Sequence, residues 1–203
     1  MPSVKQLYGN HPFSSNTYLF ISNGECAVID PSAPPSELDL GVRMRYVLLT
    51  HAHFDHMLDI DAWVELGAEV IVSERDAALL HNSELNCYRP FLGVDRGYHG
   101  AYRTVRDGDV LPLGNTSLRV ISCPGHTEGS VTYFSDGVAF VGDTLFDGGG
   151  FGRWDLPSGD YAKLVASIDK LISNLPDFTV LYCGHGSPTT IEKYKSDYKY
   201  RRI

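Results

Sequence analysis

The sequence predicts an α/β fold in which two β-sheets pack against each other with helices outside them. Three observations carry this prediction. Short β-rich runs bounded by turn residues fill both halves of the chain, helical periodicity interrupts them, and 203 residues suit one fairly large domain, taken as 1–203. A hydrophobic fraction of 43% against 21% charged residues is that of an ordinary globular chain able to bury a sizeable core.

Taken in order, "NTYLFIS" and "CAVID" are strand patterns separated by Asn23-Gly24, a dipeptide favoured in tight hairpin turns. Pro31, Pro34 and Pro35 then break the chain before "RYVLLT", a strand that delivers His51 at its end. Residues 59–66 carry apolar side chains at helical spacing and stop at Gly67, after which "AEVIVS" is a strand and "ERDAALLH" a second helix. Residues 83–103 have no clean period and are rich in Tyr, Arg and Gly, so two readings stay open: a functional loop, or an ordered connection with short helices. Beyond Arg103, "DVLPLG", "TSLRVISCPG", "GSVTYFSDG" and "VAFVGDTLF" are β again. A Gly-rich stretch precedes a helix over residues 161–175 with Leu164, Ile168, Leu171 and Ile172 on one face, and a last strand, "FTVLYC", runs into Gly184-His185-Gly186.

The formal net charge of −8 gives no electrostatic footprint for a polyanion, so nucleic acid is not an expected partner. One basic cluster ends the chain: Lys193, Lys195, Lys199, Arg201 and Arg202, interleaved with Tyr194, Tyr198 and Tyr200. It reads either as a solvated end or as part of an anionic substrate's pocket. The N-terminal residues lack the apolar core of a signal peptide, and no run approaches the roughly 20 apolar residues of a membrane span, so a cytoplasmic protein without membrane association is expected. Cys26, Cys87, Cys123 and Cys183 are widely spaced without a CxxC and are expected to be small buried hydrophobes. Cys123 and Cys183, each within three residues of a histidine motif, are the two that could approach a bound ion.

The chemistry concentrates in "THAHFDH", residues 50–56. A pattern HxHxDH arises by chance in a chain of this composition on the order of once in a thousand, and two further histidines, His126 in "CPGHT" and His185 in "CGHGS", also stand at strand ends. Asp143 in "FVGDT" has the same placement. In an extended segment His51 and His53 project to one side and can reach one cation, while Asp55 and His56 begin the next helix and turn toward a neighbouring position. Two adjacent divalent ions are the natural outcome. Nitrogen and carboxylate donors without a thiolate set suit Zn²⁺, and also Fe²⁺ or Mn²⁺, in an open site. His11, His81 and His99, outside these motifs, read as buried, hydrogen-bonded rings.

"THAHFDH", "PGHT", "GDT" and "GHG", in this order over essentially the whole chain, resemble the metallo-β-lactamase superfamily. The resemblance implies a four-layer αββα sandwich with the site at one edge of the two sheets. It implies His51, His53 and His126 on a first ion, Asp55, His56 and His185 on a second, and Asp143 bridging them, with Asp55 and Asp143 as the catalytic carboxylates. "GDTLF", "GRWDLPSGD" and "CGHGSPTTIEKYK" are similar to the glyoxalase II-like, or hydroxyacylglutathione hydrolase, group, in particular its short members without the added C-terminal helical domain that helps bind glutathione. The sequence departs from that pattern at Met57-Leu58-Asp59, where the group carries a small residue and glycine, and at Trp154, where a small hydroxyl residue is common.

A water held between two such ions loses its proton near neutral pH and can attack an acyl carbon. A thiolate departs with little protonation, so an acyl thioester such as S-lactoylglutathione is the expected small-molecule substrate. Arg153 is a candidate for a substrate carboxylate, or ties its loop to Asp155 or Asp160; Tyr88, Tyr98, Tyr102 and His99 could line the acyl pocket or simply pack. The rival readings are an oxidoreductase of the persulfide dioxygenase type, with one Fe²⁺ on His51, His126 and Asp143, and a lactone hydrolase on the same site. The oligomeric state is left open.

Overall fold

Side-chain alternation explains the layering. In the second strand Tyr18 and Phe20 face one side and Leu19 the other, and both sides are buried. The structure, a computed structural model, describes residues 2–35 and 41–199. Tyr200, Arg201 and Arg202, and the side chain of Lys199, lie outside the described residues.

The first sheet runs, in spatial order, β1 (Ser3–Tyr8), β2 (Asn16–Ser22), β3 (Glu25–Ile29), β4 (Arg43–Leu48), β5 (Glu69–Ser73) and β6 (Tyr102–Val105). β1 to β3 are antiparallel neighbours, and β3 to β6 pair in parallel. The second sheet is built from β7 (Val110–Leu113), β8 (Thr116–Ser122), β9 (Val131–Ser135), β10 (Val138–Gly142), β11 (Val180–Cys183) and β12 (Thr189–Thr190), antiparallel except for the β10–β11 pair. The β2–β3 hairpin turns through Asn23 (φ 45°) and Gly24 (φ 78°), the two positive φ values that a two-residue turn requires.

Tyr18, Phe20, Ile29, Leu48 and Ile71 of the first sheet meet Leu118, Val120, Tyr133 and Phe140 of the second in the inter-sheet core. On the outer face of the first sheet, Leu19, Val28, Val47 and Val70 pack against Ile60 and Trp63 of α1 (Ile60–Val64) and Tyr88 of α2 (Tyr88–Leu92). On the outer face of the second, Ala139, Val141 and Leu181 pack against α3 (Tyr161–Asn174) and α4 (Ile191–Lys199). The order helix, sheet, sheet, helix is the expected αββα sandwich. Leu164, Ile168 and Leu171 form the buried stripe of α3, each worth about 1.5–3 kcal/mol of transfer free energy, and the Asp160 carboxylate caps the helix by accepting from Lys163 N at 3.1 Å.

Several elements differ from the sequence reading. Residues 74–81 form turns and a 3₁₀ turn (Leu79–His81) instead of a helix, because the buried Asp76 carboxylate accepts hydrogen bonds from other loops and pins the chain. Residues 83–103 are an ordered connection containing α2, and Tyr88 and Tyr98 are buried packing residues. The basic C-terminal segment is a layer of the sandwich: Ile191, Tyr194 and Tyr198 bury the inner stripe of α4. Lys193 pairs with Asp147 and Asp197 and stays exposed, as a solvated segment would, while Lys195 pairs with Asp177 and is half-buried. The edge strands β1, β6 and β12 had no counterpart in the sequence reading. Among the described residues no helix is long and apolar enough to cross a membrane.

Candidate metal centre

The histidine motif lies just beyond β4, where backbone ties hold it. Thr50 N and Oγ1 donate to the two carboxylate oxygens of Asp30, each at 2.8 Å, and Val131 N donates to Thr50 O at 2.8 Å. The chain then turns through a single 3₁₀ turn, Phe54–His56, where the sequence reading had the next helix begin. His126 follows β8, Asp143 follows β10 directly, and His185 stands two residues beyond β11. Asn16 N and Tyr18 Oη, from the first sheet, donate to Gly184 O (2.7 Å) and Cys183 O (2.7 Å), so the two sheets are joined at this edge.

All seven predicted donors converge there. His53 Nδ1 is 2.9 Å and His51 Nε2 3.1 Å from His126 Nε2. His126 Nδ1 donates to Arg153 O at 2.6 Å, which fixes the ring with Nε2 toward the other two histidines. Three imidazole nitrogens this close, from rings that are all buried, fit a cation between them. Beside them His56 Nε2 is 3.3 Å from Asp143 Oδ1 and 3.7 Å from Asp55 Oδ2, and His185 Nε2 is 3.1 Å from Asp55 Oδ2 and 3.8 Å from Asp143 Oδ2. Asp143 Oδ2 also lies 3.7 Å from His126 Nε2, so this carboxylate faces both sets. Three overlapping groups could hold an ion: His51, His53 and His126; His51, His56 and Asp143; Asp55, His56 and His185. Each draws two donors from residues 51–56 and one from a loop that follows a strand of the second sheet.

The electrostatics agree with cation binding. Burial, with His56, His126 and His53 close by, drives the His51 imidazole well below its usual pKa. Burial and His126 push His53 down to about 3, so both rings are neutral at pH 7. Burial opposes charge on His56 as well, but Asp30, Asp143 and Asp55 outweigh it and hold this ring well above the usual value. Burial would raise the Asp143 carboxyl, yet His56, His185 and His126 keep it well below the ordinary range, and His56 and His185 likewise hold Asp55 low against burial. Asp143 Oδ1 is buried with no hydrogen-bond partner among the described residues, an anionic oxygen that a cation would satisfy. Gly184 makes room for it: a Cβ there would fall inside contact distance of Asp143 Oδ1 and 2.7 Å from His56 Cε1.

Two supporting carboxylates escaped the sequence reading. Asp30, in the left-handed region at φ 52°, places Oδ2 2.9 Å from His56 Nδ1. Asp76 accepts from Ala52 N (3.2 Å), Thr127 Oγ1 (2.7 Å) and Gly129 N (2.8 Å), tying the loop of His51 and His53 to the loop of His126. The signal for Asp30 was an acid closing the apolar strand "CAVID", the same placement that marked Asp143.

A cleft of about 320 Å³ opens onto the cluster, walled by Phe13, Phe54, Phe91, Leu156, Cys87 and Arg153. Arg153 stands at this wall, but its Nε and Nη2 donate to the Asp155 carboxylate at 2.8 and 2.7 Å, the loop tie of the two sequence readings. Tyr88, Tyr98, Tyr102 and His99 are not among the lining residues. All four cysteines are free and buried; Cys123 and Cys183 sit in the core against α3 and α4, and the cysteine at the cleft is Cys87. His11, His81 and His99 are exposed rings, against the expectation of burial; His11 lies beside Phe13, and His81 stacks on His99 with centroids 5.5 Å apart.

The family described as the Metallo-beta-lactamase superfamily matches residues 11–185. The chain is 31% identical to the probable metallo-hydrolase YqgX of Bacillus subtilis, over 89% of each chain. It is 34% identical to the hydroxyacylglutathione hydrolase GloC of Haemophilus influenzae, over 83% of this chain and 84% of that one. Against the hydroxyacylglutathione hydrolase of Aeromonas hydrophila, 33% identical, the match covers 86% of this chain but only 63% of the relative's length. Among solved structures, the BLEG-1 B3 metallo-beta-lactamase superposes with TM-score 0.89 at 30% identity, covering 98% of this chain and 99% of that one. TTHA1623 in a di-iron-bound form gives 0.82 at 30% identity (95% and 98%), and ETHE1 from Myxococcus xanthus 0.76 at 26% (97% and 83%).

Proposed function

The chain belongs to the metallo-beta-lactamase superfamily, and from that premise we propose that it is a metal-dependent hydrolase of acyl thioesters. The observation that carries the reading is the convergence of seven histidine and aspartate donors into overlapping triads, five of them, His53, Asp55, His126, Asp143 and His185, lining one cleft. Two divalent ions held there would supply Lewis acidity for a carbonyl and lower the pKa of a water. His51, His53 and His126 would hold one, Asp55, His56 and His185 the other, and Asp143 would serve both. Zn²⁺, Fe²⁺ and Mn²⁺ all suit the donor set, and the likeness to a di-iron protein keeps iron in view.

The chain's own residues do the rest. Arg153 O holds the Nδ1 proton of His126, and Asp30 stands behind Nδ1 of His56, so each ring keeps Nε2 turned to the centre. Asp55 and Asp143 stay ionised at neutral pH and contribute charge without taking up a proton. Among the described lining residues, those outside the seven candidate donors include no general acid for a leaving group: burial, with the Asp55 charge, raises the Cys87 thiol to about 11, and Arg153 is a permanent cation. A leaving group that departs as an anion therefore suits the cleft better than an amide nitrogen, and a thiolate does so at neutral pH.

The test is metal content and thioester turnover on one sample. About two ions per chain, and loss of turnover on chelation with recovery on refilling, are expected; turnover unchanged after complete metal removal sinks the reading. The persulfide dioxygenase alternative has one observation in its favour, the likeness to ETHE1. Oxygen uptake with glutathione persulfide at one iron per chain would decide for it, whereas the fully assembled group of Asp55, His56 and His185 favours two ions.

A further inference from the structure

We infer that the cleft selects a substrate whose acyl or thiol portion is an uncharged alkyl or aryl group, in preference to the doubly carboxylated glutathione. This rests on the hydrolase reading and names the substrate class of the same site.

The wall is aromatic. Phe54 and Phe91 stack with centroids 5.8 Å apart and planes at 29°, and Phe13 stands edge-on to both, at 5.8 and 6.1 Å. Phe54 is buried, but Phe13 and Phe91 are 44% and 40% exposed, two large apolar rings left in water at the mouth of a cleft. Leu156 continues the surface. A contiguous apolar lining of this kind gains most from a ligand group that removes it from water.

Charge points the same way. Arg153 is the one Lys or Arg side chain lining the cleft among the described residues. Its Nε and Nη2 donate to Asp155, whose carboxylate offsets its charge, while its guanidinium carbon lies 5.9 Å from the centre of the Phe91 ring and extends the aromatic surface. Away from the histidine cluster, a ligand carboxylate meets no unmatched cation on this wall, and the net charge of −8 repels anions at longer range.

Two readouts test this on the whole, metal-loaded chain. Calorimetry compares S-hexyl and S-methyl thioethers of N-acetylcysteamine and of glutathione. Turnover compares hexanoyl with acetyl thioesters of N-acetylcysteamine, an acyl arm, and benzyl with methyl thioacetate, a thiol arm. The hexyl thioether of N-acetylcysteamine should bind about tenfold or more tighter than the methyl one, and kcat/KM should rise about tenfold in at least one arm. Phe91→Ala, and independently Phe13→Ala, should shrink these ratios to below about threefold in protein with unchanged circular dichroism. Ratios within about twofold for the wild type, or glutathione thioethers preferred tenfold at equal chain length, overturn the inference. Hydrolysis without chain-length preference removes the inference alone; chain-length-dependent binding without hydrolysis of any thioester removes the hydrolase reading and leaves the apolar cleft standing.

Discussion

Asp30 Oδ2 stands 2.9 Å from His56 Nδ1, and the same carboxylate accepts both the backbone and hydroxyl protons of Thr50. One buried acid at φ 52° thus orients a candidate metal ligand and fixes the chain that leads to the other two histidines of the motif. Asp30→Asn keeps the volume and tolerates the left-handed backbone, but weakens the acceptor. Metal affinity in a chelator competition should fall about 10–100-fold with the fold retained. An affinity within twofold of wild type would show that Asp30 serves only the backbone.

His53→Ala and Asp143→Asn should each reduce thioester turnover below about a thousandth, some 4 kcal/mol of lost transition-state stabilisation. The far-ultraviolet circular dichroism should not change, because both residues lie beyond strand ends and outside the three apolar clusters. Metal analysis of the same samples should show the loss of at least one ion per chain.

Asp76→Ala leaves Ala52 N and Gly129 N without their acceptor, removes one partner of the Thr127 hydroxyl, and should cost about 3 kcal/mol or more in urea denaturation. The pH dependence has a defined sign. Burial raises the Asp76 carboxyl above its unfolded value, so the native state binds the extra proton and stability contributed by this group falls as pH rises through that window. The stability advantage of wild type over Asp76→Asn should therefore be larger at about pH 4 than at about pH 7. The opposite trend would mean that hydrogen bonding to the ionised form outweighs burial.

Gly184→Ala drives a methyl group against Asp143 Oδ1 and His56 Cε1 at a position that needs no special backbone conformation. The expected result is a displaced Asp143 and a loss of about 100-fold in kcat. Gly186→Ala is the control: nothing lies within 4 Å of its added carbon, so its cost is that of a φ of 77° and falls on stability.

The seven donors were legible because each sits in a short motif whose residue types are expensive to gather without a cation. The layers were legible from alternation and helical period, as in β2 and α3. Asp76 was not, since its partners stand 24 to 53 residues away and no local pattern encodes them. That same long-range tie overrode the helical spacing of residues 74–81. The helix α4 was not legible because its lysines interrupt the Ile191, Tyr194 and Tyr198 stripe and lower the apolar periodicity of the segment. The cleft wall drew Phe13, Phe54 and Phe91 from three separate segments, so its aromatic character exists only after folding.

Because every candidate triad takes two donors from residues 51–56 and one from a loop that follows a strand of the second sheet, neither half of the molecule owns a complete set. Cutting the backbone in the turn between Val105 and Val110, where one sheet ends and the other begins, would yield two fragments that each lack a site. Ion retention after mixing them would report their reassembly directly, before any substrate is added.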